Sequence, residues 1–164
     1  MNQLKWILVA EDDAPTAELT TRALAPEELA CEVIVAHDGL EALDCINHRG
    51  GFGSRGGGPP TFVLLDLKMP KLNGLEVLRQ IKSDDRLKSI PVIMFTSSRE
   101  AADVNLCYQL GANAYVVKPV EFRQFHETVR RVGLFWAMMN EQPPAGAPAA
   151  LEAAAAPTRL AAAV

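Results

Sequence analysis

The chain predicts an α/β fold in which five parallel strands form one doubly wound sheet with helices on both faces. Three observations predict it. Strand and helix signals alternate along residues 1–140, the pattern of a parallel sheet with right-handed crossovers. The strand segments are short unbroken apolar runs, as strands buried on both faces read. Two of those runs end in carboxylate: Ile7-Leu8-Val9-Ala10 leads into Glu11-Asp12-Asp13, and Phe62-Val63-Leu64-Leu65 leads into Asp66. The carboxyl ends of such strands open onto the edge where α/β sheets bind ligands.

Trp6 to Ala10 reads as the first strand. Asp13 offers an N-cap, Pro15 suits a first helical turn, and Ala17 to Ala25 is rich in helix formers before Pro26. Cys31 to Ala36 is the second strand, Asp38-Gly39 a turn, and Leu40, Leu43 and Ile46 repeat at helical spacing. Residues 49–60 read as a flexible Gly-rich loop. Its G-x-G-x-x-G at Gly51, Gly53 and Gly56 follows a helix and precedes a strand. That is the wrong context for dinucleotide binding.

Thr61 to Leu65 is the third strand, Asn73-Gly74 a turn, and Leu75, Val77, Leu78 and Ile81 the apolar face of a helix. Pro91 to Phe95 is the fourth strand, closing on Thr96, and Ala101 to Leu110 a helix ending at Gly111. Ala114 to Val117 is the fifth strand, closing on Lys118, and a long helix is expected from Glu121 to Asn140. The Ala/Pro-rich stretch 141–164 is expected to be a disordered tail.

Composition narrows the function. A length of 164 residues and 49% hydrophobic residues suit one domain with its own core. A net charge of -4 supplies no basic stripe for nucleic acid. No stretch has the length of a membrane span, and no secretory apolar region opens the chain, so a cytoplasmic protein is expected. Cys31, Cys45 and Cys107 lack metal-ligand spacing and read as buried hydrophobes. His37, His48 and His126 read as solvated surface histidines.

If the two carboxylate-tipped strands are neighbours, three carboxylates converge, and a hard cation such as Mg2+ would neutralise them. Asp66, Lys118 and Thr96 then suit phosphoryl chemistry: a carboxylate nucleophile, an ammonium for charge and a hydroxyl donor. Glu11-Asp12, Leu64-Leu65-Asp66-Leu67-Lys68-Met69-Pro70, Asn73-Gly74, Phe95-Thr96-Ser97 and Val116-Val117-Lys118-Pro119 occur in order at strand ends. With these motifs the chain resembles the response regulator receiver domain of two-component signalling, over about Leu4 to Met139.

The resemblance implies a flavodoxin-like fold and a phosphorylation switch that catalyses its own phosphorylation and slow hydrolysis, not an enzyme acting on a free substrate. Asp66 would be the phosphoacceptor from a sensor histidine kinase. Asp12, Asp66 and the Lys68 carbonyl would ligate Mg2+, with Glu11 holding metal-bound water. Lys118 and Thr96 would bind the phosphoryl group, Tyr115 would be an aromatic switch, and Lys118-Pro119 would carry a cis bond. Asp13 is left as a helix cap.

Some features depart from the common pattern. The acid pair is Glu-Asp, not Asp-Asp, and Lys68 and Ser98 occupy positions that tune phosphoryl lifetime in the family. Tyr108-Gln109-Leu110-Gly111-Ala112-Asn113 and Phe135-Trp136 resemble the stand-alone regulators that partner bacterial phytochromes. No output domain is recognised, so protein contact is the expected output, with a phosphate sink as alternative. An aspartate-nucleophile phosphohydrolase fits less well, because that class has an acid where Lys68 stands.

Phe122, Phe125, Val129, Val132, Trp136 and Met139 repeat at heptad-like spacing. Phe122 to Val129 is expected to pack on the chain's own sheet. Phe135, Trp136 and Met139 are expected to form an exposed patch that makes a homodimer.

Overall fold

The computed structural model describes residues 4–144. The expected tail lies, from residue 145 on, outside the described residues. The strands are β1 (Lys5–Ala10), β2 (Cys31–Ala36), β3 (Val63–Leu65), β4 (Val92–Thr96) and β5 (Ala114–Val117). They form one parallel sheet in the order β2-β1-β3-β4-β5. The helices are α1 (Ala14–Leu24), α2 (Pro26–Leu29), α3 (Gly39–Ile46), α4 (Gly74–Ser83), α5 (Ala101–Gln109) and α6 (Phe122–Leu134). Among the described residues no helix is long and apolar enough to cross a membrane.

The unbroken apolar runs are explained by two cores. Trp6, Leu8, Ala10, Val63, Leu65 and Met94 face α3, α4 and α5. Ile7, Val9, Leu64, Ile93 and Phe95 face α1 and α6 on the other side. Alternate residues of the central strands therefore fill opposite layers, and both faces of the sheet centre are apolar. All three cysteines are buried, as expected.

Caps set the helix starts. Asp13 accepts from Thr16 N at 2.9 Å and opens α1. Asp38 likewise accepts from Glu41 N at 2.7 Å and opens α3. Asn73 and Glu76 form a reciprocal capping box at α4. Gly74 brings α4 close under β3: a Cβ there would stand 2.1 Å from the Asp66 carbonyl oxygen. Only glycine admits that approach, so the residue after the cap also sets the height of Asp66.

Several expectations need correction. The stretch 49–60 is a loop that carries a short 3-10 turn over Gly50–Phe52 and contacts that an isolated Gly-rich segment would lack. Arg55 lies over the Trp6 ring at 4.6 Å and pairs with Glu32 at 2.9 Å, and Trp6 Nε1 donates to Gly58 O at 3.0 Å. An indole with an N–H to satisfy and a guanidinium to stack on it hold a chain that glycines alone would leave loose. His48 belongs to the same cluster, half-buried edge-on to Trp6, and is not a solvated surface histidine.

The long C-terminal helix also differs. Past Leu134 it widens into a π-turn over Phe135–Met139, closed by Asn140 N donating to Phe135 O at 2.8 Å. The extra residue in that turn rotates the heptad-like stripe. Trp136 packs half-buried on the α1/α6 core beside buried Ala137, leaving Phe135, Met138 and Met139 exposed. At the other end, Phe122 is 61% exposed and not packed on the sheet. It is the first residue after the Glu121 cap, where the helix has not yet closed onto the sheet.

Candidate functional site

The site forms where the strand order reverses, because β1 lies between β2 and β3. Ala10 pairs with Leu65 in register, so the next residues, Glu11 and Asp66, leave the sheet side by side. Both are buried, while Asp12 is exposed at the rim. One carboxylate oxygen from each of Glu11, Asp12 and Asp66 lies within 4.8 Å of the others.

Lys118 is carried in from the far edge of the sheet. Thr96 pairs with Val117, and Lys118 N donates to Thr96 O at 2.8 Å, which aims the following side chain across the crevice. Its ammonium donates to Asp66 Oδ2 at 3.0 Å and to Glu11 Oε2. The Glu11 contact, across 107 residues, is one that the strand-end motifs do not predict.

Burial works against charge on Lys118, but the Glu11 hydrogen bond and the Asp66 charge outweigh it, and its pKa lies above the ordinary value. Burial also raises the Glu11 pKa, with Lys118 opposing part of the shift. Three carboxylates face one ammonium, which leaves an excess of negative charge and an all-oxygen donor set. That set fits a small hard divalent cation. Asp13 stands apart, occupied with Thr16 as a cap, and the Thr16 hydrogen bond holds its carboxyl below the usual range.

Thr96 is buried at the end of β4, and its Oγ1 accepts from Ser98 N at 3.3 Å. Tyr115 is half-buried and its hydroxyl donates to Ser98 O at 2.9 Å. Lys68 is exposed and lines an open groove of about 600 Å³ with Asp12, Met69, Pro70, Leu75 and Asp103. The Lys118-Pro119 bond is trans, against the expected cis bond. The trans isomer is the one a prolyl bond favours, and with it Lys118 already reaches both carboxylates.

Asp103 escaped the reading of the residues. An acid in the first turn of a helix is ordinary by itself, and only the loop that folds over it brings it to Ser98, at 2.5 Å.

The model of the response regulator receiver domain matches residues 7–130. The chain belongs to this family. It is 33% identical over 135 residues to the response regulator Rcp1 of Synechocystis sp., covering 82% of this chain and 90% of Rcp1. A crystal structure of the Mn2+-bound form of Rcp1 superposes with a TM-score of 0.78 at 32% identity, over 85% of this chain and 99% of that one. The phosphorylated cyanobacterial phytochrome response regulator RcpA gives a TM-score of 0.79 at 34% identity, with the same coverage. The bacteriophytochrome response regulator RtBRR is 55% identical over 87% of this chain and 86% of its own, with a TM-score of 0.68. Phytochrome-associated regulators are thus among the near relatives of this receiver, whose fold is flavodoxin-like.

Proposed function

We propose that this receiver is a response regulator whose Asp66 accepts a phosphoryl group from the phosphohistidine of a sensor histidine kinase. The observation that carries the reading is the Lys118 ammonium bridging Asp66 and Glu11 beside Asp12. An Asp66 oxygen attacks phosphorus as the N–P bond breaks and the imidazole of the kinase leaves. Lys118 orients the attacking carboxylate and then follows the phosphoryl oxygens, and Thr96 donates its hydroxyl to one of them. Asp12, Asp66 and the Lys68 carbonyl would hold Mg2+, with Glu11 beside them. The cation, when bound, supplies the positive charge that lets an anionic nucleophile approach an anionic phosphoryl group.

The names of the relatives support a bacterial phytochrome as the kinase. The exposed Phe135, Met138 and Met139 support a homodimer through the π-turn, with the half-buried Trp136 bracing it from beneath. The protein would work in the cytoplasm and signal by protein contact. Its mass in solution tests the dimer, and a monomer at every concentration would refute it.

Incubation with Mg2+ and acetyl phosphate tests the central reading. One stable phosphoryl group on Asp66 is expected, absent from Asp66→Asn and absent when EDTA replaces Mg2+. Label at another residue, or none, would overturn it.

A further inference from the structure

All three polar groups of Ser98 are engaged. Its N–H donates to Thr96 Oγ1 at 3.3 Å and its carbonyl accepts from the Tyr115 hydroxyl at 2.9 Å. Its own hydroxyl donates to Asp103 Oδ2 at 2.5 Å. Thr96 and Tyr115 already have parts in the proposed switch, but Asp103 has none. Asp103 sits in the first turn of α5 and also lines the groove at the mouth of the site.

Among the described residues the other hydrogen bonds of Ser98 join uncharged groups. Glu100, the cap of α5, makes no side-chain capping bond. The Glu100 N–H instead donates to Ser98 Oγ at 3.3 Å. The hydroxyl-carboxylate bond of Ser98 and Asp103 is the short, charge-assisted kind, stronger than a neutral pair.

The Ser98 N–H occupies a lone pair of Thr96 Oγ1 and fixes where that oxygen sits, while the Thr96 proton stays free to donate. For Thr96 to move toward a phosphoryl oxygen on Asp66, its bond from Ser98 N must break or Ser98 must travel with it. Ser98 can travel only by stretching its bond to Asp103 and its bond to Tyr115. The carboxylate therefore adds to the cost of the active arrangement. A conformer that costs more to reach binds its ligand more weakly by the same factor.

We propose that Asp103 is a positioning residue: through Ser98 it latches the β4–α5 loop and holds Thr96 in its unphosphorylated place. This rests on the reading of Asp66 as phosphoacceptor. Asp103 touches neither phosphate nor metal in this account; it sets how readily the loop closes.

Beryllofluoride, a phosphoryl mimic, tests the latch in the presence of Mg2+, with affinity and thermal midpoint measured together on the full chain. Asp103→Ala and Ser98→Ala should each tighten binding about ten- to a hundredfold, the factor that losing one charge-assisted hydrogen bond allows. The double variant should be no tighter than either single one, since both remove the same bond. Asp103→Asn, which keeps an acceptor, should fall between wild type and Asp103→Ala, and it guards against a variant that fails to fold.

Unchanged or weaker affinity in the single variants, additive effects in the double one, or a lowered midpoint alone would overturn the latch. The last result would mean that Asp103 only supports the start of α5. A wild type that binds no beryllofluoride and takes no label on Asp66 would instead overturn the reading of Asp66, and the latch with it.

Discussion

Two partly buried lysines at opposite edges of the sheet show how neighbours decide what one side chain does. Lys118, at the carboxyl edge, meets two carboxylates. Lys82, at the end of α4 near the amino edge, meets only uncharged oxygens. Its ammonium donates to Lys88 O at 3.0 Å, Ile90 O at 2.7 Å and Asn113 Oδ1 at 3.0 Å. Three N–H groups thus meet three acceptors, and the lysine clamps the segments leading into β4 and β5. The pKa of Lys118 is raised by its charged partners. Burial pushes Lys82 down to about 8, with no opposite charge to compensate. Facing anions, a lysine is part of a reaction; facing carbonyls, it is a tie.

Substituting both by methionine, which keeps the apolar stem, gives the sharpest contrast. Lys118→Met should lower the rate of acetyl-phosphate labelling at Asp66 about 100-fold or more, the scale of losing one preorganised donor. It should also lower stability by about 3–5 kcal/mol, because it leaves buried carboxylates uncompensated. Denaturant titration should show Mg2+ recovering much of that loss. A labelling rate within a few-fold of wild type would break the comparison.

Lys82→Met should leave labelling intact and cost about 1–2 kcal/mol, because only the partly buried Ile90 carbonyl is left without a donor while the two exposed acceptors turn to water. Equilibrium unfolding measures it, and a labelling loss as deep as that of Lys118→Met would erase the distinction between site and tie.

The smallest effect is in pH, and its sign should differ between the two. For Lys82 the unfolded value of 10.5 lies above the folded value of about 8, so the unfolded chain holds more protons between them. Stability contributed through Lys82 therefore rises with pH from about 8 to 10.5. Lys118, raised above 10.5, contributes stability that is full below that value and lost as pH climbs through the folded one. Unfolding midpoints from pH 7.5 to 11 should show wild type gaining on Lys82→Met across the first window. A shrinking gap there would reverse the assignment for Lys82.

Much of the fold could be read from local pattern. Residues 31–36 and 114–117 appear as strands within their expected bounds, and Asp13 caps α1 as expected. Glu11, Asp66, Thr96 and Lys118 are legible because each follows directly on an apolar run, with Asp12 one residue further, and a strand end points its next residue at the crevice. Trp136 is half-buried because the end of the last helix still lies on the α1/α6 core, while the π-turn takes Met139 out of the stripe. The Gly-rich loop looked open because glycines carry no sign of the Trp6 and Arg55 that anchor it.

The chain's own order of residues therefore determined the alternation of strands and helices, the caps and the residue types at each strand end. These depend on neighbours within a few positions, where backbone preference and burial act directly. Tertiary structure alone decided the partners: Lys118 on Glu11 across 107 residues, Asp103 on Ser98, and Lys82 on three carbonyl oxygens. A hydrogen bond needs its two atoms within about 3 Å of each other. That distance is set by strand order and loop path, which no local pattern contains.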